Sequence, residues 1–412
     1  MQEIKQRIID RIEKQKDEII KFTQELVRTK SVNPYTPDVS SRINEPIEKG
    51  IAELIYGKLK EVGLKPIFIS ALSNRQNIIC SLKDKGKPVL ILNGHMDTVP
   101  VNSKKDWKVD PFSAEIVGGK LYGRGACDMK ASLSAMVFTL AVLSEFRSEI
   151  SGNAIAAFVV DEEPGAHSEL GTRYLLDQGL NGDACIVCEP GTKKICIGAK
   201  GGYRLKLITK GESISTGAGK WERKEKGINA VTKMAKVLLE LEKLKLSFKP
   251  TKLFEERKPV ITPGTLIRGG SGINIVPDYC EATVDIRLMP GQTKEQVKKE
   301  VLACIKKLKK NDSLLKVKIQ DLMFVPSVYI SKEERIVKVL KENARLILKK
   351  ESKLSVAGSW CDAHFFIAKG IPTICGFGPD GDNFHGANEF VYIDSIIKAT
   401  KIYSLAAYDF IK

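Results

Sequence analysis

The sequence predicts an α/β protein: a central sheet flanked by helices, interrupted by a smaller inserted α+β sandwich. Three observations carry this. Short apolar runs alternate with helical patterns over the first half of the chain, as in a sheet with helices on both faces. After Gly201 the order becomes strand–helix–strand–strand–helix–strand, typical of a small α+β sandwich, and from about Glu333 the first pattern returns. The chain has 412 residues, more than one ordinary hydrophobic core spans, so two domains are expected. The expected division is residues 1–201 and 323–412 for the α/β part and 202–322 for the insertion.

The elements follow in order. From Met1 to Lys30, charges alternate with Ile, Phe and Leu at helical spacing, which predicts a surface helix. The stretch lacks the apolar core and small-residue cleavage site of a signal peptide. Pro88–Asn93, Ala154–Val160 and Ala184–Cys188 read as buried strands. Lys130–Phe146 is apolar on most faces, so it is expected to pack within the body. Glu169–Gln178 is a helix closed by Gly179. In the insertion, Tyr203–Thr209 alternates like a half-exposed strand, and a helix follows over Ile228–Leu244. Strands are then expected over Pro259–Arg268 and Glu281–Leu288, a helix over Gln292–Lys309 and a strand over Leu315–Leu322.

Composition narrows the function classes. Hydrophobic residues make up 43% and charged residues 28%, ordinary for a soluble globular protein. No apolar run approaches the ~18–20 residues of a membrane span, so no membrane partner is expected. The nine cysteines are odd in number and scattered through apolar surroundings, which argues for reduced thiols and a cytoplasmic location. Cys185 and Cys188 form a CxxC, but on a strand an i,i+3 pair points to opposite faces. The net charge of +16 comes from lysines spread along the whole chain, with no Arg–aromatic cluster. It reads as a solvated surface, and no nucleic-acid partner is expected.

The residues able to do chemistry cluster just after the strand candidates, where open α/β sheets bind their ligands. His95 and Asp97 stand two apart in Asn93-Gly-His-Met-Asp-Thr-Val-Pro100, on one face of extended chain. A His ligand needs its second ring nitrogen fixed, and Asp97 is well spaced to do so. Asp128 follows Leu121-Tyr-Gly-Arg-Gly-Ala-Cys and precedes a helix. Glu162 and Glu163 close one strand and Glu189 another. His385 lies in the loop Asn383-Phe-His-Gly-Ala-Asn-Glu389. Two His and several carboxylates suit zinc or cobalt better than magnesium, and a bridging carboxylate can hold two ions ~3.5–4 Å apart. A lone His-x-Asp or Glu-Glu pair would be ordinary surface chemistry; five separate segments offering ligands are not.

These segments resemble a known family. Gly94-His-Met-Asp-Thr-Val-Pro100, Gly123-Arg-Gly-Ala-Cys-Asp-Met-Lys130, Asp161-Glu-Glu163, Cys188-Glu-Pro190, Gly227-Ile-Asn229, Asn274-Ile-Val-Pro277, Asp285-Ile-Arg287 and His385-Gly-Ala-Asn-Glu389 together resemble the co-catalytic zinc amidohydrolases. That family includes acetylornithine deacetylase, succinyl-diaminopimelate desuccinylase, aminoacylase and bacterial glutamate carboxypeptidase. The resemblance implies a zinc-peptidase-like catalytic domain with a mixed central sheet, plus a lid that is also a homodimerisation surface. It implies two divalent metal ions, zinc or cobalt, and a small N-acyl amino acid or short peptide as substrate. By position, His95 and Glu163 would bind one ion, Glu189 and His385 the other, with Asp128 bridging. Asp97 would orient His95. Glu162 would be the general base that takes a proton from the activated water and passes it to the leaving amine. Asn274 and Arg287 would hold the substrate on the lid.

One departure bears on activity. Family members carry a lid His, a few residues after the Gly that ends the first lid strand, which polarises the scissile carbonyl. In Gly211-Glu-Ser-Ile-Ser-Thr-Gly217, Ser215 stands in its place. His364 is a candidate to take over that role at the substrate, although beside Phe365 and Phe366 it also reads as a packed side chain. His167, just beyond Glu163, is a further candidate. The alternative to an active hydrolase is therefore a catalytically weak homologue that binds metal and peptides or amino acids.

Overall fold

The computed structural model describes residues 2–33, 47–101, 103–163 and 168–412; His167 lies outside them. Two compact units divide the chain. The first comprises Met1–Gly198, Tyr329–Ala357 and Cys361–Lys412, the second Ala199–Val328 with Gly358–Trp360.

The first unit is built on a mixed sheet in the order Ile67–Leu72, Arg75–Ser81, Asn153–Val159, Val89–His95, Ala184–Val187, Thr373–Ile374. Arg75–Ser81 runs antiparallel to both its neighbours; the other pairings are parallel. The central strands are short apolar runs because a parallel sheet covered on both faces has no solvent side. Helix Ala131–Ser144 is buried at every residue from Ala131 to Leu143. With the turn before it, Ala126–Ser144 is long and apolar enough to cross a membrane, contrary to the sequence reading, but it is 94% buried within the protein. It is a core helix, and the C-terminal helix Ile393–Ile411 packs on it. Gly94 makes room for it: a Cβ there would come within 2.9 Å of Met129 and 3.0 Å of Leu133. The expected N-terminal helix is two, Gln2–Lys14 and Lys16–Arg28, parted at Gln15. They bury Ile8, Ile12, Ile19, Phe22 and Leu26.

The second unit is an antiparallel sheet ordered Val260–Gly269, Tyr279–Leu288, Gly201–Lys210, Lys316–Val325. Period-two alternation sends Tyr203, Leu205 and Leu207 with Cys280, Ala282, Val284 and Ile286 to one face. There they pack against Met234, Val237 and Leu241 of helix Ala230–Glu242 and Val297, Val301 and Ile305 of helix Lys294–Asn311. Each helix begins at a side-chain cap, Asn229 accepting from the Thr232 N–H and Thr293 from the Gln296 N–H, a contribution of ~1 kcal/mol apiece. The opposite face is polar, with Arg204, Lys206, Glu281 and Asp285. The expected α/β class with a mixed sheet and a separate antiparallel sheet is the one observed.

Candidate metal centre

Sheet topology explains why the donors meet. Asn153–Val159, Val89–His95 and Ala184–Val187 are adjacent and parallel, with His95 opposite Val159 and Asn93 opposite Val187. Their carboxyl ends therefore deliver His95, Glu162, Glu163 and Glu189 to one edge. Asp128 comes from the turn Ala126–Lys130 ahead of the core helix, where Asp128 and Met129 depart from helical geometry. Gly125 enters that turn at φ +80°, and a Cβ on it would lie 2.5 Å from Thr98. His385 comes from the loop between the short strands Gly381–Asp382 and Phe390–Tyr392. The latter pairs antiparallel with Lys120–Tyr122, which brings the His385 loop beside the Asp128 turn.

Asp128 lies at the middle of the cluster. Its Oδ1 is 3.1 Å from His95 Nε2 and its Oδ2 is 3.3 Å from His385 Nε2. His385 Nε2 is also 2.6 Å from Glu163 Oε1, and His95 Nε2 is 3.8 Å from Glu189 Oε1. Potential ligand atoms of His95, Asp128 and Glu189 lie within 4.8 Å of one another, as do those of Asp128, Glu163 and His385, and those of His95, Glu162 and Glu163. The closest contacts revise the pairing expected from sequence: Glu163 stands with His385, and Glu189 with His95, on opposite sides of Asp128. The two oxygens of Asp128 diverge, and each faces a different imidazole, so the grouping follows them.

Asp97 also does something other than expected. His95 Nδ1 donates to the backbone carbonyl of Asp97 at 2.9 Å, while the Asp97 carboxylate is 3.7 Å away. The carbonyl can only accept, so Nδ1 carries a proton there, and Nε2, which faces Asp128, is the ring nitrogen that would ligate an ion. The Asp97 carboxylate instead accepts the N–H groups of Glu162 at 3.2 Å and Glu163 at 2.7 Å, and Asn33 Nδ2 at 2.8 Å. It fixes the turn that presents both glutamates.

Burial and mutual repulsion set the electrostatics. Burial, then Asp128, pushes Glu189 up to about 8, and burial raises Glu162 well above the usual carboxylate range. Burial alone would lift Asp128, but hydrogen bonds to His385 and His95 hold it low. Burial opposes the charged form of His385, yet Asp128 and Glu163 lift it to about 11. Carboxylates outnumber imidazoles here, so the cluster is short of positive charge. Divalent ions bound there would supply it and displace the protons. The donor set of neutral imidazole and carboxylate fits zinc or cobalt.

Several supporting residues had no signal in the sequence reading. Asp362 is buried and accepts from the hydroxyls of Ser168 and Thr172. Arg75, fully buried, pairs with Glu48 and lies 3.4 Å from Asp161, the residue that starts the glutamate turn at φ +67°. Of the other expected residues, His364 is buried on the short helix Ala363–Ala368, with Nδ1 2.8 Å from the Cys361 carbonyl. Ser215, Asn274 and Arg287 belong to the second unit. Ser215 lies on an exposed loop and bridges to Ile275, next to Asn274. Arg287 Nε donates to Asp285 at 2.7 Å.

An α/β sheet whose strand ends converge on His and carboxylate donors, joined to a separate antiparallel sheet, defines a class of metal-dependent hydrolases. The chain belongs to the peptidase family M20/M25/M40, whose model matches residues 91–409. It is 27% identical over 422 residues to N-formyl-4-amino-5-aminomethyl-2-methylpyrimidine deformylase of Bacillus subtilis, covering 95% of this chain and 94% of that one. It is 27% identical over 398 residues to succinyl-diaminopimelate desuccinylase of Pelagibacter ubique, covering 93% and 97%. Its fold matches the M20 family metallo-carboxypeptidase Sso-CP2 of Sulfolobus solfataricus with a TM-score of 0.74 at 19% identity, over 95% of this chain and 98% of that one. The protein is a metal-binding hydrolase of carbon–nitrogen amide bonds.

Proposed function

We propose that this enzyme hydrolyses the linear amide of a small N-acyl amino acid or short peptide at a two-metal centre, with Glu162 as general base. One ion would be held by His95, Asp128 and Glu189, the other by Asp128, Glu163 and His385. The observation that carries the reading is Asp128, with one oxygen toward each imidazole. When bound, the ions lower the pKa of water and polarise the carbonyl under attack. Glu162 takes the proton of the attacking water and returns it to the leaving amine. Burial raises its carboxyl group well above the usual carboxylate range, which strengthens it as a proton acceptor. Asp97 holds the backbone on which Glu162 stands.

The two relatives support an N-acyl substrate, since one is named for removing a formyl group and the other a succinyl group. In this reading the second unit is the lid and the homodimer surface. Arg287 Nη1 is buried without a hydrogen-bond partner among the described residues, and in this reading it takes a substrate carboxylate, with Asn274 assisting. Val260, Ile267 and Leu239 are exposed apolar side chains on this unit, as a subunit contact requires. Free thiols at Cys80, Cys127 and the other cysteines accord with a cytoplasmic location. A catalytically weak enzyme is the second reading. It rests on Ser215, whose hydroxyl sits on an exposed loop and accepts a long, 3.4 Å bond from the Gly217 N–H.

A panel of N-formyl, N-acetyl and N-succinyl amino acids and dipeptides, assayed with zinc or cobalt, tests both readings. Glu162→Gln is expected to retain two ions and lose ~10²–10⁴ in rate. Activity within about threefold of wild type would remove Glu162 from the mechanism.

A further inference from the structure

The carboxylate of Glu389 is 1% exposed and lies four residues after His385. Its Oε2 accepts Arg124 Nη1 at 2.6 Å and the Gly125 N–H at 3.0 Å. Its Oε1 accepts the N–H groups of Cys127 and Asp128, both at 3.0 Å. Its backbone carbonyl takes the Gly123 N–H at 3.0 Å. Glu389 thus touches the chain leading into Asp128's turn and the first part of the turn itself, up to Asp128, while standing on the loop that carries His385. Arg124 is buried, with its guanidinium 5.3 Å over the Trp107 ring, so the counter-charge is fixed as well.

We infer that Glu389 is a positioning residue for the metal centre, a single carboxylate that locks the Asp128 turn to the His385 loop. The inference rests on the reading that Asp128 and His385 hold ions. The geometry demands a carboxylate. The turn before the core helix leaves backbone N–H groups without intrahelical partners, and each oxygen of Glu389 receives two donors. An amide of the same shape would turn an NH₂ group toward two of those donors, where only an acceptor fits. The turn would then relax, and Asp128 with it. Because Asp128 faces both imidazoles, the error passes to both ions, whereas the loss of a terminal ligand affects one. Partners that hold metal ligands in place are typically worth 10–100-fold in metal affinity.

The experiment is zinc affinity by competition with a chromophoric chelator, on full-length wild type and Glu389→Gln, alongside the melting temperature of each metal-free protein. The expected result is a 10–100-fold loss of affinity for both ions in Glu389→Gln. A purely structural role would lower the metal-free melting temperature and leave affinity within threefold, which overturns the inference. If Glu389→Gln does not fold, Glu389→Asp decides. It keeps the charge but not the reach, and is expected to bind zinc at least fivefold more weakly; wild-type affinity in that variant overturns the inference. Wild type that binds no zinc would instead sink the metal reading itself, so the two failures are distinct.

Discussion

In the first unit, His95, Asp128, Glu162, Glu163, Glu189 and His385 are gathered where burial opposes charge and carboxylates face one another. In the second unit, Asp312 lies 2.5 Å from Lys233 and 3.0 Å from Lys236, and Asp321 lies 2.8 Å from Lys298 and 3.0 Å from Lys294. Lys233 holds Asp312 below its ordinary range. Asp321 is likewise depressed: burial would raise it, but Lys298, Tyr203 and Lys294 outweigh that. In the second unit each of these two carboxylates is answered by two lysines of that unit. At the metal centre of the first unit, carboxylates outnumber their cationic partners, His95 and His385, and that shortfall marks the place for cations. Local charge balance separates a structural carboxylate from a functional one.

The sharpest way to break the comparison is to remove ligands in pairs. His95→Ala with Glu189→Gln takes two donors from the same ion and is expected to leave one ion per chain, held by Asp128, Glu163 and His385. His95→Ala with Glu163→Gln takes one donor from each and is expected to release both. Elemental analysis of the two proteins reads the difference, and equal metal content would discard the grouping. A smaller effect is expected at Ser215. A positioned donor on a developing oxyanion is typically worth ~10²–10³. Ser215→His is therefore expected to raise kcat on N-acyl amino acids at least about tenfold, with less change in KM. An unchanged variant, together with loss of activity in His364→Ala, would place the donor at His364.

The smallest effect concerns the second unit's stability. A depressed carboxyl group stabilises the fold above its ordinary pKa, and the contribution is lost as pH falls through the lowered value. Asp321→Asn is expected to cost under ~1 kcal/mol at pH 7, given partial solvent screening, and progressively less below pH 4. Chemical denaturation of full-length protein at both ends of that window checks it. A cost that persists undiminished in acid would assign it to packing instead of charge.

How much was legible in the sequence follows from where each residue gets its position. His95, Glu162, Glu163 and Glu189 stand at strand ends, so apolar runs alone pointed to them. Asp128 and His385 sit on irregular chain, and only their motifs marked them. The closest contacts group the ligands around Asp128 differently from the expected pairing, because the direction of each carboxylate oxygen is a property of the folded turn. The bonds of Asn33 to Asp97, 64 positions away, and of Glu389 to Arg124, 265 positions away, were not legible even though Glu389 and Arg124 stand in quoted motifs, because nothing local in either segment names so distant a partner. The N-terminal helix was read as one because its apolar spacing runs on across Gln15.

The discontinuity of the first unit bears on synthesis. The ribosome delivers His95, Asp128, Glu163 and Glu189 first, then the whole continuous stretch Ala199–Val328 of the second unit, and only afterwards His385, Glu389 and the helix Ile393–Ile411 that packs on Ala131–Ser144. A nascent chain would thus expose an apolar core helix and an incomplete set of ligands while the inserted unit already has all four strands of its sheet. The group His95, Asp128 and Glu189 is thus made before the inserted unit, whereas the group of Asp128, Glu163 and His385 waits for the chain that follows it.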